Sequence, residues 1–423
     1  MTFDSLIEKV VSQSQRNYLL LITSLGWAMV AAYVMIISFT LPLLIQEWNL
    51  SNIFASTIAS STFIGMFIGT LSAGIISDYF GRKKSAMFLL FLGSFFSVLS
   101  GFIGSPTLFI IFRILSGIGF GGSMPVLNAY LTEFLNVSIR GKYLVYLESS
   151  WAIGSIFIAI IHMFIARNFT WRLDYIFLGA GFIPFLLLFT VPESPKYLLI
   201  REKKEKFEKL FNYNIQEKIT LPKKEKVTIN ALFKKGYLVR SLNILLLWFT
   251  MSFGYYGIFV WVKGILAQKG VNIVLTDWYT FYMFLAQLPG YLLAAYLIEK
   301  IGRRKSVLLF ALGTAISFII FASVSSNLLV LIFSLVVSIF CMGEWGLTYA
   351  YTPELYPTTM RGTANGVSGA LTRFSGFIAP FYTSYFLERG NINIGLIGIA
   401  ILFMLTGILN FIFLPETMKK EVD

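Results

Sequence analysis

Five ionisable side chains stand inside long apolar stretches of the chain: Arg113, Glu148, His162, Glu344 and Arg373. An ionisable group in hydrocarbon costs a few kcal/mol or more, so such residues mark ligand, ion or proton pathways. Arg373 falls near the middle of its stretch, roughly 18 Å from the start at about 1.5 Å per residue. Its guanidinium can clamp a carboxylate with two parallel hydrogen bonds in a low-dielectric site. Glu344 falls at a similar depth, so Arg373 reads either as a substrate contact or as half of an internal ion pair. Glu148 sits near the start of its stretch and is a candidate proton carrier; the alternative is a hydrogen-bonded structural carboxylate. Arg113 and His162 lie at nearly equal distances from the turn between their stretches and are expected to approach each other. The imidazole can sense pH, although a lone histidine at the end of a stretch is more often interfacial.

Composition excludes several other chemistries. One cysteine, Cys341, forbids an intramolecular disulfide and a cysteine-based zinc site. One histidine leaves no histidine cluster for a metal. No Gly-Lys-Ser/Thr loop is present for ATP, and no nucleophile stands beside a base. No cofactor is expected, and the chain reads as a non-enzyme. The aromatic residues Trp151, Tyr255, Tyr256 and Trp261 are expected to line a solute cavity, in competition with lipid facing or core packing.

The elements that position these residues follow from hydropathy. Of the 423 residues, 57% are hydrophobic and 13% charged, against about 25% charged in soluble domains. About 20 apolar residues in a helix cross the ~30 Å hydrocarbon core with every backbone group satisfied. Twelve such spans are expected: 18–45, 54–77, 85–104, 107–133, 143–166, 173–191, 239–262, 276–298, 306–325, 328–352, 363–387 and 394–414. The first is too long for a cleaved signal segment and is read as a retained span. The basic, polar stretch 192–238 divides six spans from six, giving bundles 1–191 and 239–423. It is read as a solvated linker with some helix, not as a nucleic-acid site. The net charge of +13 is a topology signal. Most Lys and Arg stay inside if both termini and 192–238 are cytoplasmic.

The halves repeat. Asp78-Tyr79-Phe80-Gly81-Arg82-Lys83-Lys84 matches Glu299-Lys300-Ile301-Gly302-Arg303-Arg304-Lys305. Glu133 with Arg140 matches Glu354 with Arg361, and Pro192-Glu193-Ser194 matches Pro415-Glu416-Thr417. Parallel six-span halves meeting at an axis are an architecture of alternating-access transporters. Mixed charges at cytoplasmic helix ends suit ion pairs and helix-terminus contacts. The glycine run Gly117 to Gly122 suits close helix contact rather than a dinucleotide.

These motifs resemble the signature of the major facilitator superfamily, in the branch of sugar porters, organic-ion transporters and nicotinate-type transporters. Pro192-Glu193-Ser194-Pro195-Lys196-Tyr197-Leu198, Glu148-Ser149-Ser150-Trp151 and Tyr351-Thr352-Pro353-Glu354 carry the narrower resemblance. Glu148 stands where a sugar porter has glutamine, and the first span lacks the acid of many proton-coupled relatives. The resemblance implies an all-α membrane protein with twelve transmembrane helices in two parallel-repeat six-helix bundles. It implies alternating-access transport of a small organic solute, an organic anion first, across the plasma membrane by a monomer in the lipid bilayer, with proton symport an open addition. A sugar or polyol carrier is the alternative, and a transporter-like solute receptor is the alternative of another class. Asp78, Gly81, Arg82, Glu133, Arg140 and Glu193, with Glu299, Arg303, Glu354, Arg361 and Glu416, are then gating residues. Arg373, Glu344, Arg113, Trp151, Tyr255, Tyr256 and Trp261 are candidate substrate contacts, and Glu148 and His162 candidate proton-coupling groups.

Overall fold

The computed structural model of the protein describes residues 1–215, 219 and 228–418. Eleven helices among them are long and apolar enough to cross a membrane. A twelfth, Thr358–Glu388, has 31 residues. At 1.5 Å per residue it exceeds the ~30 Å needed. It is less apolar because it carries Arg361 and Arg373. The twelve spans of the sequence reading are all present as helices.

Span 1 is two helices in line, Gln13–Met35 and Ile37–Trp48, the second containing Pro42. Spans 2 to 4 are Asn52–Phe80, Arg82–Ser100 and Pro106–Thr132. Span 5, Val137–Ile161, continues through a π-turn, His162–Ala166. Span 6 runs over Arg172–Thr190. There Gly179, Gly181 and Pro184 loosen the helix into alternating α and 3-10 turns. Spans 7 to 10 are Leu238–Gln268, Ile273–Ile301, Arg303–Ser323 and Asn327–Glu354. Spans 11 and 12 are Thr358–Glu388 and Ile392–Phe413.

The chain forms two compact units. One holds Met1–Ile36 and the chain from Ser61 into the central loop; the other holds Ile37–Ser60 and the chain beyond that loop. Within the first, spans 3 and 4 pack together and the Gln13–Met35 half of span 1 lies on span 5. Within the second, spans 9 and 10 and spans 7 and 11 pair in the same way. Span 4 shows why its glycines are spaced as they are. A Cβ on Gly117 or Gly121 would strike the backbone of span 2, and one on Gly119 that of span 3. The helices approach closely only because the side chain is absent.

A small cluster at the N-terminus belongs to the first unit. The helix Phe3–Val10 is capped by Thr2 and buries Phe3, Leu6 and Ile7. Leu6 packs with Tyr197, Leu198 and Phe207 from Pro195–Ile200 and Lys204–Phe211. Ser194 caps the first of these helices and Pro195 starts it.

Candidate functional site

In the second unit, span 11 runs along span 7 and carries Arg373, only 7% exposed. Span 7 contributes Tyr255 and Tyr256, both buried, and span 10 contributes Trp345. The Trp345 ring lies 5.4 Å from Tyr255 and 5.9 Å from Tyr256, both edge-on. Trp248 and Tyr349 extend the cluster, with ring centroids 4.6 Å apart. The amide of Gln287 donates to the Tyr255 hydroxyl at 3.2 Å. Arg373 acts electrostatically on the Tyr256 hydroxyl. A buried guanidinium acting on a tyrosine of an aromatic cluster suits a flat aromatic acid: a fork for the carboxylate, rings for contact. Trp261 spends its indole N–H on the Pro380 carbonyl at 3.0 Å, which pins span 7 to span 11.

Glu344 is fully buried. Its Oε2 accepts from the Thr314 hydroxyl of span 9 at 3.5 Å. Its Oε1 has no hydrogen-bond partner, and it forms no ion pair among the described residues. The internal pair with Arg373 is therefore not made, because Glu344 looks towards span 9 while Trp345, the next residue, turns to span 7.

In the first unit, Arg113 is fully enclosed. Its guanidinium lies 4.6 Å from the Tyr33 ring centre and 5.8 Å from that of Tyr175. It donates to the Tyr33 carbonyl at 3.4 Å and to the Thr62 hydroxyl. The Tyr33 hydroxyl returns a bond to the Arg113 carbonyl. No acidic side chain pairs with Arg113 among the described residues. Tyr175, which Arg113 faces, follows Asp174 in span 6. The direct partner of His162 is Asp174, whose Oδ2 lies 2.8 Å from Nδ1, with both side chains buried. Trp151 is buried on span 5. Glu148 is half-buried and makes no hydrogen bond or ion pair with a described residue.

Three residues escaped the sequence reading. Asp174 and Asp277 lie two and four residues into their spans, where a charge reads as interfacial. Lys263 lies just past the expected end of span 7 at 262, but the helix continues to Gln268. Its Nζ is buried 2.6 Å from Asp277 Oδ1. The available signal was pairing: each acid faces a cation or imidazole across one short turn.

The repeated loop motifs form two matching networks. In the first unit, Arg82 reaches Asp78 at 2.7 Å and Glu133 at 3.2 Å. Glu193 accepts from the backbone N–H groups of Lys83 at 3.0 Å and Ser194 at 2.8 Å. In the second, Arg303 forks onto Glu354 at 2.9 and 3.0 Å and reaches Glu299 at 3.1 Å. Glu416 accepts from Arg303 N–H at 2.9 Å and Arg304 N–H at 3.1 Å. Gly81 and Gly302 hold φ of 102° and 90°, and a Cβ on either would strike Glu193 or Glu416. Burial alone would push the Glu416 carboxyl up. Bonds from the N–H groups of Met418, Arg303, Arg304 and Thr417 outweigh it and hold the carboxyl below the usual range. Arg140 lies 3.9 Å from Asp4, and both Arg140 and Arg361 donate to backbone. Each caps a nearby backbone carbonyl, of Leu135 and Tyr356 respectively, at 3.1 Å.

The family described as "Sugar (and other) transporter" matches residues 11–423. The chain belongs to that family. It is a major facilitator transporter of the sugar porter and metabolite branch, and its relatives are transporters rather than enzymes. A Bacillus subtilis protein named for niacin/nicotinamide transport, NiaP, is 33% identical over 97% of this chain and 98% of its own. The niacin transporter NiaP of Acinetobacter baylyi is 32% identical over 87% of each chain. The inward-open xylose transporter XylE of E. coli superposes with a TM-score of 0.77 at 21% identity. It covers 95% of this chain and 97% of that one. This likeness fits the twelve-helix major facilitator fold of the transporter, a multi-pass membrane protein that moves an organic solute.

Proposed function

We propose that the transporter carries a small aromatic monocarboxylate of the nicotinate type by alternating access across the plasma membrane. Both termini and the central loop face the cytoplasm. Arg373 holds the carboxylate, while Trp345, Tyr255 and Tyr256 supply ring contacts. Arg113 supplies a second positive charge, and Trp151, Trp261 and Glu344 shape the helices around the path. The Arg82 and Arg303 networks close the cytoplasmic side, with Arg140 and Arg361 bracing the adjoining turns. Proton symport falls to Glu148 or His162. The observation that supports the reading most is the buried guanidinium of Arg373 acting on the hydroxyl of Tyr256, whose ring meets Trp345. The niacin-transporter relatives agree with it.

One polar pair favours a second solute class. Gln287 and the Tyr255 hydroxyl, bonded to each other among aromatic rings, also suit the hydroxyls of a sugar or polyol. Counterflow into proteoliposomes separates the readings. Labelled nicotinate entering vesicles preloaded with unlabelled nicotinate supports the carboxylate. Counterflow of xylose and not of nicotinate establishes the sugar reading. Saturable binding with no counterflow of either makes the protein a receptor.

A further inference from the structure

We propose that the helix Phe3–Val10 braces the Arg82 network of the first unit, with Tyr197 as the positioning residue between them; this rests on the gating reading above. The helix is held by docking. Eight residues are too few to keep a helix formed alone in water. Phe3, Leu6, Ile7 and Val10 recur at helical spacing and form one apolar stripe. Leu6 and Ile7 are fully enclosed, and Val10 packs on the cluster of Leu6, Tyr197, Leu198 and Phe207. Polar contacts fix the helix along its length. Arg16, near the start of span 1, donates to the Ile7 carbonyl at 3.3 Å. The Asn136 amide, in the turn between spans 4 and 5, donates to Glu8, and Arg140 stands 3.9 Å from Asp4. The helix thus ties together span 1, the turn after span 4 and the segment after span 6.

Tyr197 belongs to that apolar cluster and to the Arg82 network at once. Its hydroxyl donates to the Tyr79 carbonyl at 3.0 Å. The Arg82 guanidinium lies 5.7 Å from its ring centre, within reach of a cation–π contact. A Cβ on Gly81 would come 3.1 Å from its Cε1, so the ring lies against the turn between spans 2 and 3. Ser194, three residues earlier, donates to the Glu133 carboxylate that Arg82 also holds. Arg201, four residues later, donates to the Asp78 carbonyl at 2.6 Å. The helix Pro195–Ile200 and its two flanks therefore grip the Arg82 turn, and Phe3–Val10 packs on that grip. When Phe3–Val10 is released, Tyr197 loses apolar contacts that hold its ring, and Arg82 loses a wall of its site. The network then loosens without any change in its own charges.

Hydrogen exchange of the full chain in lipid nanodiscs tests the brace without a substrate. Leu6→Asp puts a charge into the apolar cluster and undocks the helix. It is expected to speed amide exchange about tenfold in the turn 78–84 and to leave the matching turn 299–305 unchanged. Tyr197→Leu keeps an apolar side chain in the cluster but removes the ring and hydroxyl. It should speed exchange at 78–84 while Phe3–Val10 stays protected. Tyr197→Phe keeps the ring beside Arg82 and should restore most of the protection. In proteoliposomes, Leu6→Asp is expected to slow nicotinate counterflow about fivefold by shifting populations. Its loss should not multiply with that of Arg82→Ala, which breaks the same network, but should multiply with that of Arg303→Ala. A merely structural helix gives losses that multiply in both pairs, and that result overturns the brace. Faster exchange confined to Phe3–Val10 and 195–211, with 78–84 unchanged, overturns it too. If Leu6→Asp fails to fold, the two Tyr197 variants decide by the same exchange. Faster exchange at 78–84 with counterflow unchanged in Arg82→Ala upholds the brace and overturns the gating reading instead.

Discussion

At the residue scale, Arg373 concentrates the specificity argument. A planar fork binds a carboxylate with two parallel bonds, whereas an ammonium binds it as a point charge. Arg373→Lys is therefore expected to weaken nicotinate binding at least tenfold, about 1.4 kcal/mol, in an equilibrium titration. Nicotinamide has the same ring and no charge, so its affinity should change much less. Equal losses for both ligands would show that Arg373 supports the fold rather than the carboxylate. Trp345→Ala removes ring contact common to the two ligands and should weaken both together. Glu344 teaches the converse lesson: depth along a helix placed it beside Arg373, but its azimuth turns it towards Thr314.

At the element scale, the turns between spans 2 and 3 and between spans 8 and 9 are one device used twice. Each has a glycine with positive φ, an arginine at the start of the next helix and an acid folded over both. A non-glycine residue in such backbone costs about 1–3 kcal/mol. The added Cβ would also meet Glu193 or Glu416. Gly81→Ala and Gly302→Ala should each lower the thermal midpoint by several degrees, whereas Gly74→Ala, with open space around it, should not. The Glu416 carboxyl sits below its unfolded value, so its contribution is present above that value and fades as pH falls through the folded one. Wild type and Glu416→Gln should thus differ in melting temperature near neutral pH, with the difference shrinking once pH falls below the ordinary glutamate value of about 4.3. Arg82→Ala and Arg303→Ala should cut turnover more than substrate affinity, because a gate contact made in one state biases populations. Unchanged counterflow rates in both variants would remove the gating role.

At the scale of the whole molecule, the chain is two six-span repeats whose compact units are not cut where the sequence repeats. Ile37–Ser60 belongs with the second unit. There Lys263 donates to the Phe39 carbonyl at 3.3 Å, Ser56 to that of Pro380 at 3.2 Å and Ser60 to that of Phe377 at 2.7 Å. Orientation is argued from the basic loops. Protease added outside sealed right-side-out vesicles should spare the central loop, and cleavage there would invert the topology.

The number of spans, the duplication and the transporter class were legible in the residue order, because hydropathy over about 20 residues and exact motif spacing are local properties. The two loop networks were legible for the same reason: their partners repeat in register, as Arg82 with Glu133 and Arg303 with Glu354. Which buried charges meet was not legible. A helix turns about 100° per residue, so an error of one residue in a boundary or bend sends a side chain to another neighbour. The π-turn at His162 is such an event. Only tertiary structure brought His162 to Asp174 and Lys263 to Asp277. It also left Glu344 without Arg373 and Arg113 between two tyrosine rings, since burial fixes a polar partner only after the helices have packed.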